Sequence, residues 1–159
     1  MRTKPELFQP RVFLDSSGLI SAAITVREGT PLTRLIALGE QSVIDLRLSR
    51  EVISDTERFV RRYDIALLPI LAEIIDTGRM AIVQEPSENA INLCETLTGY
   101  RPDARILAAA MECAADVLVT FDKTHLLGNP KIKPPQCGVM VMNAQDCLEW
   151  CFAQWQARR

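Results

Sequence analysis

The sequence predicts an α/β domain built on a mainly parallel central sheet of about four or five strands. Three observations carry that expectation. Short apolar runs, VFL at 12–14, VLVTF at 117–121 and VMVM at 139–142, alternate along the chain with longer segments of helical period. Strong helix-start residues stand between them. The alternation continues to the end, which implies βαβ units and a sheet covered on both faces, a three-layer α/β/α sandwich.

Each element follows from local chemistry. Residues 1–10 read as an extended lead-in punctuated by Pro5 and Pro10. Val12–Leu14 is a buried strand. Asp15-Ser16-Ser17-Gly18 supplies N-cap residues for a helix from Gly18 to about Val26. Thr30 caps the next helix, with Pro31 at its first position, and this helix runs to Glu40. Ser42–Leu48 alternates as a strand. Ser49 caps a helix whose Val52, Ile53, Phe59, Val60 and Tyr63 keep helical spacing. A helix from about Ile65 to Asp76 contains Pro69 as a split or kink, and Gly78 ends it as a left-handed cap. Met80–Val83 is a short strand and Ser87–Leu97 a helix stopped by Gly99. Pro102–Ala115 is helical and Val117–Phe121 a buried strand. Residues 126–136 form a loop rich in Gly, Pro and Lys. A last strand, Val139–Met142, precedes a C-terminal helix opening at Asn143 or Ala144, with Trp150 and Trp155 as packing residues. There is no repeat or linker, so residues 1–159 read as a single domain.

The bulk numbers narrow the function classes. At 159 residues and 48% hydrophobic, the chain suits one ordinary globular domain. A net charge of −2 argues against binding nucleic acid through overall charge and leaves room for a local basic patch. No apolar run approaches the ~20 residues of a membrane span, so no membrane partner is expected. Five cysteines at irregular spacing, with no apolar signal region in MRTKPELFQP, read as reduced thiols in a cytoplasmic protein. With one histidine and no second cysteine pair at ligand spacing, a zinc site is not expected.

Three aspartates stand where α/β folds bind ligands, beyond the carboxyl ends of the strands. Asp15 ends the strand RVFL, Asp122 ends VLVTF, and Asp103 opens the helix before it. Carboxylates converging on one spot repel unless a cation neutralises them, and hard ions such as Mg²⁺ or Mn²⁺ prefer such ligands. Asp116 is a control. It lies at the opposite end of the same strand, roughly 20 Å away at about 3.3 Å per residue, and cannot share the ion. His125 follows Asp122 closely in a loop of unknown path and is assigned no catalytic role.

At these residues the sequence resembles the PIN-domain family of metal-dependent ribonucleases, whose small bacterial members include VapC-type toxins. VFLDSSGLISA and DARILAAAMECAADVLVTFDKTHLL carry the resemblance, which spans about Val12 to Trp150. It implies a PIN-like sandwich in which Asp15, Asp103 and Asp122 bind the metal. The family's second acid, usually a glutamate, falls on Asp55, which is one methylene shorter and reaches the ion directly or through water. Glu57 is a nearby substitute. Thr124 stands where relatives often carry another acid and is expected to hold a metal-bound water. Ser16 matches the family's Ser/Thr beside the first aspartate. Ser17, in place of a frequent asparagine, reads as a cap.

The resemblance therefore implies a Mg²⁺- or Mn²⁺-dependent endoribonuclease that hydrolyses RNA with a metal-activated water. It also implies the toxin role of a toxin–antitoxin pair, with a small antitoxin as partner, and a homodimer. Arg101, Lys123, Lys131 and Lys133 flank the acids in sequence and are expected to contact RNA phosphates. The alternative is a PIN-like protein with a weakened site that binds RNA or a partner without cutting. A receiver-like signalling domain would want adjacent acids after the first strand, and DSSG supplies one.

Overall fold

The computed structural model describes residues 8–132 and 137–159. Lys133 and most of the expected lead-in lie outside the described residues. The chain order is β1 (Arg11–Leu14), α1 (Ser16–Ile24), α2 (Pro31–Glu40), β2 (Asp45–Leu48), α3 (Arg50–Tyr63), α4 (Leu67–Thr77), β3 (Ala81–Ile82), α5 (Glu88–Thr98), α6 (Arg101–Glu112), β4 (Val117–Val119), β5 (Met140–Met142) and α7 (Ala144–Ala157). The five strands form one sheet in the order β3-β2-β1-β4-β5, and every pairing is parallel. Right-handed crossovers set α1 to α4 against one face and the α5–α6 pair against the other, the three-layer sandwich the sequence predicts.

Burial follows strand position. Val12, Phe13 and Leu14 of β1 and Val117, Leu118 and Val119 of β4 are fully buried. Strands covered on both faces read as continuous apolar runs, and these two do. β2 lies one strand further out, and there Leu46 and Leu48 are buried while Asp45 and Arg47 are half-exposed.

The caps form where the sequence puts them. Thr30 accepts from the Thr33 N–H at 3.2 Å, with Pro31 following it, and Ser49 accepts from the Val52 N–H at 3.3 Å. Gly99 ends α5 at φ +72°, the left-handed conformation glycine adopts without cost. Gly78 departs from expectation. Its φ is −72°, and the left-handed residue is Arg79 at +52°. Packing at Gly78 is tight but not closed: a Cβ there would come 3.1 Å from Met80 Cε and 3.4 Å from Ile36 Cγ2. Close approach dictates a different glycine, Gly39, where a Cβ would come 2.7 Å from the Gly78 carbonyl oxygen and 2.5 Å from Leu46 Cδ1. Pro69 does not split its helix. It sits in the first turn of α4, where a missing N–H costs nothing.

Several boundaries are tighter than the apolar runs suggest. β2 begins at Asp45 because Ser42 turns at φ +57°, and β4 stops at Val119. α6 ends at Glu112, ahead of a turn at Ala114 with φ +57°. Trp155 and Trp150 pack as expected: the Trp155 indole donates to the Phe8 carbonyl at 3.0 Å, and Trp150 meets the Phe8 ring edge-on. Among the described residues no helix is long and apolar enough to cross a membrane.

The strand order fixes where a ligand would go. From β1 the chain moves outward to β2 and β3; from β4 it moves the opposite way to β5. The crevice beyond the carboxyl ends of β1 and β4 is therefore the topological switch point, where open parallel sheets bind ligands.

Candidate metal centre

Asp15 emerges from β1 at that crevice. Its backbone N–H donates to the Val119 carbonyl at 3.0 Å, so β1 and β4 stay paired to their ends. The Asp15 side chain is buried, and both oxygens are held. Oδ1 accepts from the Ser16 N–H at 2.7 Å and the Ser16 hydroxyl at 3.4 Å. Oδ2 accepts from the Thr120 hydroxyl at 2.8 Å and lies 3.5 Å from the Ser17 hydroxyl. Burial pushes the Asp15 carboxyl above its ordinary range and the Asp122 charge adds to that, while the Thr120 and Ser16 hydrogen bonds oppose it.

Thr120 and Ser17 stitch the two strand ends together. The Thr120 hydroxyl that donates to Asp15 also accepts the Asp122 N–H at 3.0 Å. The Ser17 hydroxyl accepts the Phe121 N–H at 3.0 Å. One buried threonine thus positions two acids that lie more than a hundred residues apart in sequence.

Asp122 in turn organises its loop. Oδ1 accepts the Thr124 N–H at 3.0 Å and Oδ2 the His125 N–H at 3.3 Å. That turn carries the His125 ring to α6, where Nδ1 lies 2.8 Å from Asp103 Oδ2 and 3.8 Å from Asp122 Oδ2. Tyr100, which caps α6, stacks on the imidazole with ring centroids 4.7 Å apart and planes 15° off parallel. Asp103 occupies the first turn of α6, where the helix dipole favours a carboxylate. One donor atom from each of Asp103, Asp122 and His125 fits within a 4.8 Å span.

Electrostatics identify the arrangement as one wanting positive charge. Burial, then Asp122, then Asp15 push the Asp103 carboxyl up to about 6, with His125 pulling the other way. Among the described residues His125 is the one basic group within salt-bridge range of these three aspartates. Repelling carboxylates without a lysine or arginine counterion, joined by an imidazole, form a donor set that suits a divalent cation.

The structure brings Asp103 and Asp122 together with His125; Asp15, expected as a third metal ligand, lies outside that close group and is joined to Asp122 through the Thr120 hydroxyl. Ser16 takes the supporting place assigned to it. Asp55 stands apart: it lies half-exposed on α3 with Oδ1 2.8 Å from Arg58 Nη2, and neither it nor Glu57 joins the close group. Thr124 contributes its backbone N–H to Asp122 and has an exposed side chain. Arg101 is a correction to the phosphate-contact expectation. Its guanidinium is taken up by Glu88, Glu95 (2.8 Å) and Asn92 (3.1 Å), tying α6 to α5. Lys123 and Lys131 line a groove of about 410 Å³ shared with Thr98, Thr124 and Asn129. Asp116 accepts the Arg11 N–H at 2.8 Å, at the far end of the sheet as the strand length requires. His125 and Thr120 are the residues that sequence reasoning misses. A signal for His125 is present: it is the chain's one histidine, three positions after a strand-end acid.

No family model and no curated protein matches this sequence. Among solved structures, that of PAE2754 from Pyrobaculum aerophilum is similar, with 16% sequence identity and a TM-score of 0.62. The match covers 92% of this chain and 98% of that one. At that identity the likeness shows the fold, an α/β architecture spanning essentially the whole chain.

Proposed function

We propose that this protein is a Mg²⁺- or Mn²⁺-dependent endoribonuclease of the PIN type. The observation that carries the reading is the close group of Asp103, Asp122 and His125 at the switch point, with Asp15 tied to Asp122 through Thr120 and no lysine or arginine counterion among the described residues. A divalent cation there would activate water and neutralise charge on the scissile phosphate. The chain's own contribution is positional. Asp103 and Asp122 would hold the ion, with Asp15 fixed by Thr120 and Ser16 and adding negative charge to the centre. Lys123 and Lys131 border a groove whose lining begins one residue past Asp122 in the chain, and they would offer positive charge to an RNA backbone. A cytoplasmic toxin–antitoxin setting, with a small antitoxin covering the acids and a homodimer as the working form, belongs to this reading through the family resemblance alone.

The test is cleavage of RNA by the purified protein with Mn²⁺, beside Asp15→Asn and Asp122→Asn. Wild type should cut and leave 5′-phosphate and 3′-hydroxyl ends; both variants should lose activity by about two orders of magnitude or more. Equal activity in all three would mark a contaminant and end the proposal. One observation favours a second reading, a protein that binds RNA or a partner without cutting. Asp55, which falls on the family's second acid, is half-exposed, paired with Arg58 and outside the close donor group. RNA retention without cleavage, in either ion, would select that reading.

A further inference from the structure

The imidazole in the acid group carries a consequence for which ion binds. His125 is fixed on three sides. Its backbone N–H is held by Asp122, its carbonyl accepts from the Asn129 side-chain amide at 2.8 Å, and its ring is stacked under Tyr100. Nδ1 therefore points at the carboxylates by construction. Its 2.8 Å separation from Asp103 Oδ2 matches the edge of an octahedral coordination shell, about 3.0 Å for bonds of about 2.1 Å. Its 3.8 Å separation from Asp122 Oδ2 falls between that edge and the distance across the shell, about 4.2 Å. An ion binding here would displace to solvent the proton shared between Nδ1 and Asp103 Oδ2, leaving Nδ1 neutral and three donor atoms within 4.8 Å of one another to face the ion.

We propose that His125 Nδ1 is a direct ligand of the cation, and that the centre consequently selects a first-row transition ion such as Mn²⁺ over Mg²⁺. Carboxylates alone accept Mg²⁺ readily, whereas a neutral imidazole suits transition ions and adds little for Mg²⁺. Tyr100 is a positioning residue in this arrangement, holding the ring plane. The inference rests on the cation centre of the proposed function and not on cleavage itself.

Binding of Mn²⁺ and of Mg²⁺ is measured by calorimetry on wild type, His125→Asn and Asp122→Asn, with Mn²⁺-loaded protein also followed by pulsed electron paramagnetic resonance. Asparagine can still donate a hydrogen bond to Asp103 but offers no imidazole. His125→Asn should weaken Mn²⁺ binding about tenfold or more and Mg²⁺ binding by less than about twofold. The resonance spectrum should show nitrogen coupling in wild type and lose it in the variant. Mn²⁺ bound in an Asp122-dependent way without nitrogen coupling would overturn the assignment while leaving the cation centre intact. Equal weakening of both ions, or asparagine supporting both at wild-type affinity, would reduce His125 to a hydrogen-bond donor and overturn it too. Absence of any Asp122-dependent ion binding would bring down this inference and the nuclease proposal together.

Discussion

Replacing Asp103 by asparagine should make the ion-free protein more stable. The wild-type carboxyl is pushed from its ordinary 3.8 up to about 6 by burial and by its acidic neighbours. The native state thus holds that proton more tightly than the unfolded chain does. The stability this gives is fully present below about 3.8 and is lost as pH rises through about 6. At neutral pH the charged form is a burden worth about 3 kcal/mol, at roughly 1.4 kcal/mol per pH unit. The repulsion is shared with Asp122 and Asp15, so about 2 kcal/mol is the expected gain, or about 4–8 °C in Tm for a chain of this size. The measurement is thermal unfolding in a chelator at about pH 7.5 and again at about pH 4. The Asp103→Asn variant should melt higher in the first case and equal to wild type in the second. Added Mn²⁺ should then raise the wild type far more than the variant. No difference at the higher pH, or a gain that persists at the lower one, would refute the repulsion argument.

Three further outcomes are expected. Thr120→Val strips a buried donor from Asp15 and an acceptor from the Asp122 N–H, so urea unfolding should show a loss of about 1–3 kcal/mol and a Mn²⁺ titration about tenfold weaker binding. Asp55→Asn should change Mn²⁺ affinity by less than about twofold, because that carboxylate is engaged with Arg58; isothermal titration checks it, and a larger loss would restore the acid to the ion-binding group. Asp45→Asn should cost stability at neutral pH and nothing in strong acid. Burial alone would raise the Asp45 carboxyl, but hydrogen bonds from Arg47 and Arg11 outweigh it and hold it below the usual range, so its contribution is present at neutral pH and fades as pH falls through the carboxylate range. Unfolding curves at the two extremes of pH report the difference.

What can be read from the sequence is whatever is decided within a few residues. Thr30-Pro31 and Ser49 define helix starts by local hydrogen bonding, and Gly99 defines a stop by its own backbone freedom. The two buried central strands are visible as apolar runs. Gly39 escapes a local reading because its reason lies in Leu46 and the Gly78 carbonyl, on other elements. The site divides the same way. Asp15 and Asp122 are legible as acids at strand ends, and Asp103 as an acid at a helix start. Thr120 is not, because its function depends on a carboxylate 105 positions away. His125 offers only the signal of a lone histidine three positions after a strand-end acid; the turn directing its ring toward α6 is set by side-chain oxygens of Asp122 and is not legible. Asp55 shows the opposite error: the motif position is legible, while the neighbour that claims its charge, Arg58, is not part of any motif.

The pairing of β1 with β4 imposes an order on synthesis. Asp15 leaves the ribosome first, and the threonine that orients it and the two acids of the site come more than eighty positions later. A partly made chain therefore carries only scattered carboxylates, and premature termination anywhere before residue 120 yields a product unable to assemble the pocket. If the protein cleaves RNA as proposed, messages and translating ribosomes are shielded from the nascent polypeptide until the chain has been read past Asp122.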